Sequence, residues 1–168
     1  MIQINFVVLS WLFAISITVH NLEEAIWLPK WSKSAGRWHH PVEPAVFRFA
    51  VLTLTILAYI FAILASVGEK QSIGAYLVAG YALAMLLNVV FPHLIATIAL
   101  KKYAPGLATA LFFNLPVTAG LLYHAVIDAY IDLNRFYYIG PMVTIGILGS
   151  IPVLFVIGNR VFVPRKQS

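Results

Sequence analysis

The sequence contains no cysteine among its 168 residues. This absence excludes disulfide bonds and metal sites with thiolate ligands. Charged residues are also scarce, since they make up only 10% of the chain, whereas soluble domains contain about 25%. The low charge content excludes an ordinary soluble domain, and any metal site must be built from His, Asp, Glu or Asn side chains.

Apolar residues take the place of the missing charge. They make up 61% of the chain, and the mean hydropathy is +0.90. This composition predicts an all-α integral membrane protein, because helices satisfy their backbone hydrogen bonds inside a bilayer. The length allows one helical bundle, a single domain over residues 1–168. The net charge of +5 resides in short loops, so we expect no nucleic-acid partner.

Five apolar segments are long enough to cross about 30 Å of hydrocarbon, which takes about 20 helical residues each. They lie at residues 4–28, 44–67, 73–100, 105–130 and 138–162. The first segment lacks a basic flank and a small-residue cleavage site, so we expect a retained membrane helix and not a signal peptide.

Lys and Arg are distributed unevenly between the two ends of this predicted bundle. Only Lys70 and Arg135 belong to one end. Nine basic residues belong to the other: Lys30, Lys33, Arg37, Arg48, Lys101, Lys102, Arg160, Arg165 and Lys166. Because basic loops stay in the cytoplasm, we expect the N-terminus outside and the C-terminus in the cytoplasm. The expected location is a bacterial inner membrane.

A cluster of ionisable residues ends the first apolar segment, in the sequence His20-Asn21-Leu22-Glu23-Glu24. Each such group inside a membrane costs about 2.5–3.5 kcal/mol on insertion scales. Three so close together predict pairing, hydration or coordination. A His and a carboxylate at i and i+4 share a helix face, and zincins use a neighbouring Glu as general base. The pattern predicts His20 and Glu24 as metal ligands and Glu23 as a catalytic base.

Two further polar residues share the predicted depth of His20. His93 lies eight residues before Lys101, as His20 does before Leu28, and Asn114 lies nine residues after Pro105. Eight helical residues span about 12 Å, so all three side chains are expected at a similar depth in the membrane. We therefore expect His93 to be the third metal ligand and Asn114 to orient the substrate or its oxyanion. Two His and one Glu with an open position suit catalytic zinc, and iron is an alternative.

These residues favour a membrane-embedded, metal-dependent hydrolase, with zinc lowering the pKa of its bound water to about 7. A site at this depth predicts a lipid-like or amphipathic substrate, with membrane lipids as partners. One alternative is a two-metal oxidase or hydroxylase that recruits His39, His40 and Glu43. Others are a cofactor-free lipid isomerase, a small proton or cation transporter, and a non-catalytic membrane subunit. The composition is compatible with an oligomer.

Structural interpretations compete with these functional ones. Glu23 and Glu24 can extend to the lipid headgroups and pair with Lys30 or Lys33. His124 and Asp128, at i and i+4 on the fourth segment, can anchor that helix through a hydrogen bond or form a small site of their own. Among the small residues, Gly80-x-x-x-Ala84 and Gly146-x-x-Gly149 predict faces for close helix packing.

The His20–Glu24 motif resembles the family of small membrane proteins named for its HXXEE signature. The resemblance extends to Trp27 and Pro29, to His93-Leu94 and to Tyr103-Ala104-Pro105-Gly106, and so covers most of the chain. It implies that His20, Glu23, Glu24 and His93 belong to the family signature. That family is described as membrane proteins of unknown function, so the resemblance implies no reaction. The Pro105-Gly106 pair separately predicts a sharp turn between the third and fourth helices.

Overall fold

The computed structural model describes residues 4–36 and 40–163, and within them the fold is all-helical. Each of its five long helices is long and apolar enough to cross a membrane. They are α1 (Phe6–Ser32), α2 (Pro44–Val67), α3 (Ile73–Leu100), α4 (Leu107–Ile127) and α5 (Leu133–Phe162). The predicted set of five apolar helices is confirmed, and α2 and α3 have the predicted bounds.

The helix α1 continues past its predicted end, through Pro29 to Ser32. Proline has no N–H, so the carbonyl four residues earlier, that of Ala25, loses its helical donor. The guanidinium of Arg48 on α2 replaces that donor, because its Nε lies 3.2 Å from the Ala25 oxygen. A neighbouring helix thus allows a proline inside α1.

The bounds of the last two helices also differ from the prediction. The helix α4 begins at Leu107, two residues later than predicted, and ends at Ile127. The helix α5 begins at Leu133, five residues before the predicted start. Asp132 caps it, since its side chain accepts a hydrogen bond from the backbone N–H of Arg135 at 3.0 Å. Such a cap satisfies an N–H group that has no partner within the helix.

Hydrogen bonds between the segments that link the helices show which segments lie together at each end of the bundle. Lys102 Nζ donates to Ser34 Oγ at 3.1 Å, which joins the α1–α2 and α3–α4 connections at one end. We call it the basic end. At the opposite end, the Gln71 N–H donates to the Tyr130 carbonyl at 3.0 Å, and Tyr130 stacks on Phe6. The helices therefore run alternately up and down.

A cluster of mainly apolar side chains forms the core between the two ends. Tyr81 of α3 lies at its centre, with its ring edge-on to Phe13 and Phe61 at centroid distances of 5.4 and 6.2 Å. Its hydroxyl donates to the Leu54 carbonyl at 3.2 Å, so this buried polar atom is satisfied. Three helices are thus held together around one aromatic side chain.

Small residues bring α3 close to α5. A Cβ added to Gly80 would lie 2.5 Å from Val143 Cβ, and the Gly80 carbonyl accepts a hydrogen bond from Thr144 at 3.1 Å. The prediction of a packing face at Gly80 is confirmed. The same prediction for Gly146 and Gly149 is wrong within this chain, because a Cβ added at either position meets nothing within 4 Å.

Both α3 and α4 depart from regular α-helix: α3 is kinked at Val89–Leu94, and α4 contains a π-helical turn at Ala110–Asn114. We call these two segments the wide turns. In the first, Phe91 leaves the helical conformation, with φ −125° and ψ 122°. The residue before a proline avoids the α conformation, and Pro92 follows directly. The two wide turns contact each other, and the second also contacts α1. π-Helical turns such as the one in α4 are frequent at functional sites.

Candidate functional site

Three side chains of metal-binding types meet beneath the α3–α4 connection. His20 and Glu24 lie one turn apart on α1, and His93 comes from the wide turn in α3. His93 Nε2 lies 3.4 Å from Glu24 Oε1, and His20 Nε2 lies 3.9 Å from Glu24 Oε2. The imidazole rings are perpendicular, with centroids 5.0 Å apart. One ligand atom from each residue lies within 4.8 Å of the others, so they form a single cluster.

The cluster is shielded from the surface. His20 is 1% exposed, His93 is 2% exposed and the Glu24 side chain is 13% exposed. Charged and polar groups are rarely buried to this degree unless they are paired or bind a metal. Side chains buried in this way are therefore expected to be hydrogen-bonded to one another or bound to a metal.

Asn88 occupies the space between the two histidines. Its Nδ2 lies 3.2 Å from His20 Nε2 and 3.1 Å from His93 Nε2, so it can donate one N–H to each ring. Both Nε2 atoms then act as acceptors, so the lone pairs of the two rings point toward the Asn88 amide nitrogen. Lone pairs on neutral imidazoles are also what a metal ion binds.

The hydrogen bonds around the second ring nitrogen of His20, Nδ1, also indicate that Nε2 carries no proton. His20 Nδ1 lies 3.1 Å from Thr109 Oγ1, and that hydroxyl lies 2.6 Å from Glu23 Oε2 and 3.1 Å from the Gly106 carbonyl. An ionised carboxylate and a carbonyl only accept, so the single hydroxyl proton goes to one of them. Thr109 must then accept from His20. The imidazole carries its proton on Nδ1, which leaves Nε2 free for the cluster.

The turn before α4 is shaped to the two histidines. Gly106 has φ +95°, and a Cβ at this position would lie 2.5 Å from His93 Cε1 and 2.9 Å from His20 Cε1. Only glycine adopts this backbone conformation readily and leaves this space open. The predicted turn at Pro105-Gly106 is present, and it also forms one wall of the cluster.

Glu23 lies on the opposite side of His20 from Glu24. One carboxylate oxygen accepts a hydrogen bond from the Tyr103 hydroxyl, and the other accepts from the Thr109 hydroxyl and, at 3.3 Å, from the Thr109 N–H. Partial burial and the hydrogen bond to Glu23 raise the pKa of Tyr103, so the phenol keeps the proton that it donates. A chain of hydrogen bonds from Glu23 to Thr109 and from Thr109 to His20 thus connects Glu23 to the cluster.

The spacing of the cluster can be compared with what a metal requires. Bonds of about 2.0–2.2 Å place tetrahedral ligand atoms about 3.3 Å apart. The distance of 3.4 Å from His93 to Glu24 Oε1 meets this value, and the distance of 3.9 Å from His20 to the other oxygen, Oε2, is longer. The three ligand atoms, one from each residue, lie within 4.8 Å of one another, so binding one ion would need the cluster to contract and the Asn88 amide to rotate. Two imidazoles and one carboxylate thus fit a divalent cation.

A cleft of about 630 Å³ opens at the basic end, outside the cluster. Within the part of the chain that the structure describes, its lining consists of Glu23, Trp27, Lys30, Trp31, Ser34, Lys102, Tyr103 and Pro105. Volumes of this order are typical of small-molecule sites. Glu23 is the member of the His20–Glu24 motif that faces the cleft.

Comparison with known proteins relates this site to a family. A family model described as "Protein of unknown function with HXXEE motif" matches residues 11–121. The chain belongs to the HXXEE-motif family. "Uncharacterized protein YrkK" of Bacillus subtilis (strain 168) is 40% identical over 149 residues, which cover 89% of this chain and 94% of that protein. No solved structure matches the chain.

The HXXEE match includes every residue of the cluster and of its wall, and ends before α5. The resemblance to this family is therefore confirmed. Neither the family description nor the name of the relative states an activity.

Asn114 lies in the second wide turn and is completely buried. Neither its amide nitrogen nor its amide oxygen has a hydrogen-bond partner among the described residues. The wide turn contacts α1 and the turn that carries His93, but the Asn114 amide is not bonded to the cluster. A buried amide without partners is unusual and is a candidate for binding a ligand. The role predicted for Asn114 stays a prediction.

The other sequence candidates lie apart from the cluster. His39 is outside the described residues, and both His40 and Glu43 are exposed near the start of α2 and do not join the metal-capable group. His124 Nδ1 lies 3.0 Å from Asp128 Oδ2 near the end of α4, next to the connection to α5. This distance fits the interpretation of the pair as a local anchor.

Three residues of the site were not predicted to take part in it: Tyr103, Gly106 and Thr109. For Asn88, five residues before His93, the sequence left two alternatives open, a position beside that histidine or a hydrogen bond between helices. Asn88 and His93 are five residues apart, which on a regular helix places them about 140° apart around the axis. The wide turn brings them together, and Pro92 was the available signal for it. Thr109 and Tyr103 act through Glu23, and no sequence spacing links them to it.

Proposed function

We propose that this HXXEE-family protein is a membrane-embedded, metal-dependent enzyme, with His20, Glu24 and His93 holding one divalent cation. The convergence of these three side chains from two helices, within 4.8 Å of one another and nearly buried, carries the proposal. Two imidazoles and a carboxylate are a ligand set of catalytic zinc. Zinc with an open position supplies a water nucleophile at neutral pH, so hydrolysis is the reaction class that we favour.

Glu23 and Asn114 are the proposed catalytic groups. Hydrolysis moves a proton from the attacking water to the leaving group, and a carboxylate can hold that proton between the two steps. Glu23 suits this role because it faces the cleft and is linked to His20 through Thr109. The unpartnered amide of Asn114 suits the binding of a substrate oxygen.

The proposed substrate is lipid-like, and the proposed orientation places the basic end in the cytoplasm. The cleft lies between the α1 terminus and the α3–α4 connection, where tryptophan and lysine side chains line it. Tryptophan and lysine are typical of the boundary between membrane and water. A substrate held there presents its polar end toward Glu23.

A cofactor-free acid–base enzyme is the second candidate, and the position of Asn88 favours it. Its amide already satisfies the Nε2 atoms of both histidines without a metal. Glu23 and Glu24 would then move protons on a lipid substrate, as an isomerase requires.

A transporter is the weaker candidate. Between the cluster and the opposite end, the buried side chains of the described bundle are mainly apolar or aromatic, among them Phe13, Ile17, Tyr81 and Leu121. The buried hydroxyls of Ser10, Ser16 and Thr118 donate to carbonyls of their own helices. Proton and ion pathways through a membrane need polar side chains or water along their length. This apolar layer supports a site that works from one end only.

Metal analysis of the purified protein tests the main proposal. The protein is prepared without chelators, and zinc and iron are measured by inductively coupled plasma mass spectrometry. About one metal per chain is expected in the wild type and at least a tenfold loss in His20→Ala and His93→Ala, because each removes a ligand. His124→Ala is the matched control, since its histidine pairs with Asp128 away from the cluster.

Two further variants separate ligands from catalytic groups. Glu23→Gln and Asn114→Ala should keep the metal, because neither residue belongs to the proposed ligand set. A metal-free wild type would overturn the metal proposal in favour of the acid–base candidate. Equal metal loss in His124→Ala and His93→Ala would show that the ligand set is wrong.

A further inference from the structure

The cleft at the basic end has an excess of positive charge over an apolar lining. Lys30 from α1 and Lys102 from the α3–α4 connection both line it, and Glu23 is the acidic residue among its lining residues. The Glu23 carboxylate is occupied by hydrogen bonds from Tyr103 and Thr109. These bonds hold the carboxylate in place without removing its charge, and two ammonium groups against one carboxylate leave the described lining with a net positive charge.

Two tryptophans form the apolar part of the cleft. Trp27 and Trp31 lie four residues apart on α1, so their rings lie on the same side of the helix. Trp27 is 56% exposed. Indole rings favour sites where one side of a ligand is apolar and the other is hydrated. The lining thus combines an apolar surface for a hydrocarbon chain with two cations for a headgroup.

The cleft is separated from the metal-capable cluster by one layer of side chains. Trp31 and Pro105 line the cleft, and they also line a cavity of about 10 Å³ that touches His93. That volume is close to the space one water molecule needs. A headgroup in the cleft would lie next to Glu23 and one side chain away from His93.

From these observations we infer that the cleft binds an anionic membrane lipid, with its phosphate between Lys30 and Lys102 and the start of its chain against Trp27 and Trp31. This inference rests on the proposed function and names its substrate class. Charge complementarity selects the headgroup, and the tryptophan surface excludes a free ion as the preferred ligand.

Calorimetric titration of the purified protein in a neutral detergent tests the inference. The ligands are dioctanoyl phosphatidic acid, dioctanoyl phosphatidylcholine and inorganic phosphate. Phosphatidic acid should saturate one site, phosphatidylcholine should bind about tenfold more weakly, and inorganic phosphate should not bind measurably. Equal binding of the two lipids would overturn charge selection. Tight binding of inorganic phosphate would overturn the role of the chain.

Two matched double variants distinguish lipid binding in the cleft from general electrostatic attraction to a basic surface. Lys30→Gln with Lys102→Gln should weaken phosphatidic acid binding by about tenfold. Lys33→Gln with Lys101→Gln removes the same charge from exposed neighbours that do not line the cleft. This second pair should change binding by less than about twofold. An equal loss in both pairs would overturn the inference.

The titration also separates this inference from the metal proposal. Binding in the cleft needs neither turnover nor a metal, and metal content is measured on the same preparations. If lipid binding fails while the metal is present, the cleft assignment alone is wrong. If the metal is absent while phosphatidic acid binds with the expected selectivity, the cleft assignment holds.

Discussion

Gly106 lies where the chain turns from α3 into α4, directly against the rings of His20 and His93. Its φ of +95° and the 2.5 Å separation between an added Cβ and His93 Cε1 make any side chain there costly. The substitution Gly106→Ala should lower the free energy of unfolding by about 1–3 kcal/mol. It should also reduce metal content, because His93 has to move. Unfolding in detergent and metal analysis measure the two effects.

Gly149→Ala is the control for this prediction. Gly149 lies inside α5, and a Cβ added there meets nothing within 4 Å. Alanine should stabilise the helix by up to about 1 kcal/mol and leave the metal content unchanged. If Gly106→Ala were equally harmless, the turn would not shape the site.

A hydrogen bond from Arg48 of α2 compensates for the proline inside α1. Pro29 removes the donor for the Ala25 carbonyl, and Arg48 supplies another at 3.2 Å. Arg48→Met should therefore cost about 0.5–1.5 kcal/mol in the wild type. It should cost less in a Pro29→Ala background, because the new N–H at position 29 takes over the carbonyl. Unfolding free energies of the four proteins in mixed micelles measure the coupling. An equal cost in both backgrounds would contradict this account of Pro29.

Hydrophobicity predicts helices well, and it predicts their irregularities poorly. The bounds of α2 and α3 follow from runs of apolar residues between charges and glycines. The continuation of α1 through Pro29 depends on Arg48, a residue on another helix, so the local sequence could not predict it. The wide turn at Val89–Leu94 has a local signal in Pro92, but that signal does not say which side chains the turn brings together.

The same limit applies to the site. His20 and Glu24 could be paired from their spacing along one regular helix, and His93 could be added from its depth in the membrane. The role of Asn88 stayed open between two alternatives, because a regular helix points it away from His93. Thr109 could not be added, because its link to His20 and Glu23 is made by the fold of the α3–α4 connection.

At the scale of the whole molecule, the site lies off-centre in the bundle. The polar cluster, the cleft and the contact between Lys102 and Ser34 lie toward the basic end, and the aromatic core around Tyr81 separates them from the opposite end. An enzyme that takes its substrate from one leaflet needs such an arrangement. The leaflet in which the cleft lies depends on the orientation of the bundle in the membrane.

Labelling with cysteine tests the predicted orientation, and the lack of native cysteine makes each introduced thiol unique. Glu43→Cys lies at the basic end and Glu69→Cys at the opposite end, and both positions are exposed. The excess of Lys and Arg at the basic end should keep it in the cytoplasm. A membrane-impermeant maleimide should therefore label Glu69→Cys in intact cells and Glu43→Cys only after permeabilisation. The reverse pattern, or equal labelling of both thiols in intact cells, would contradict the orientation and move the cleft to the outer leaflet.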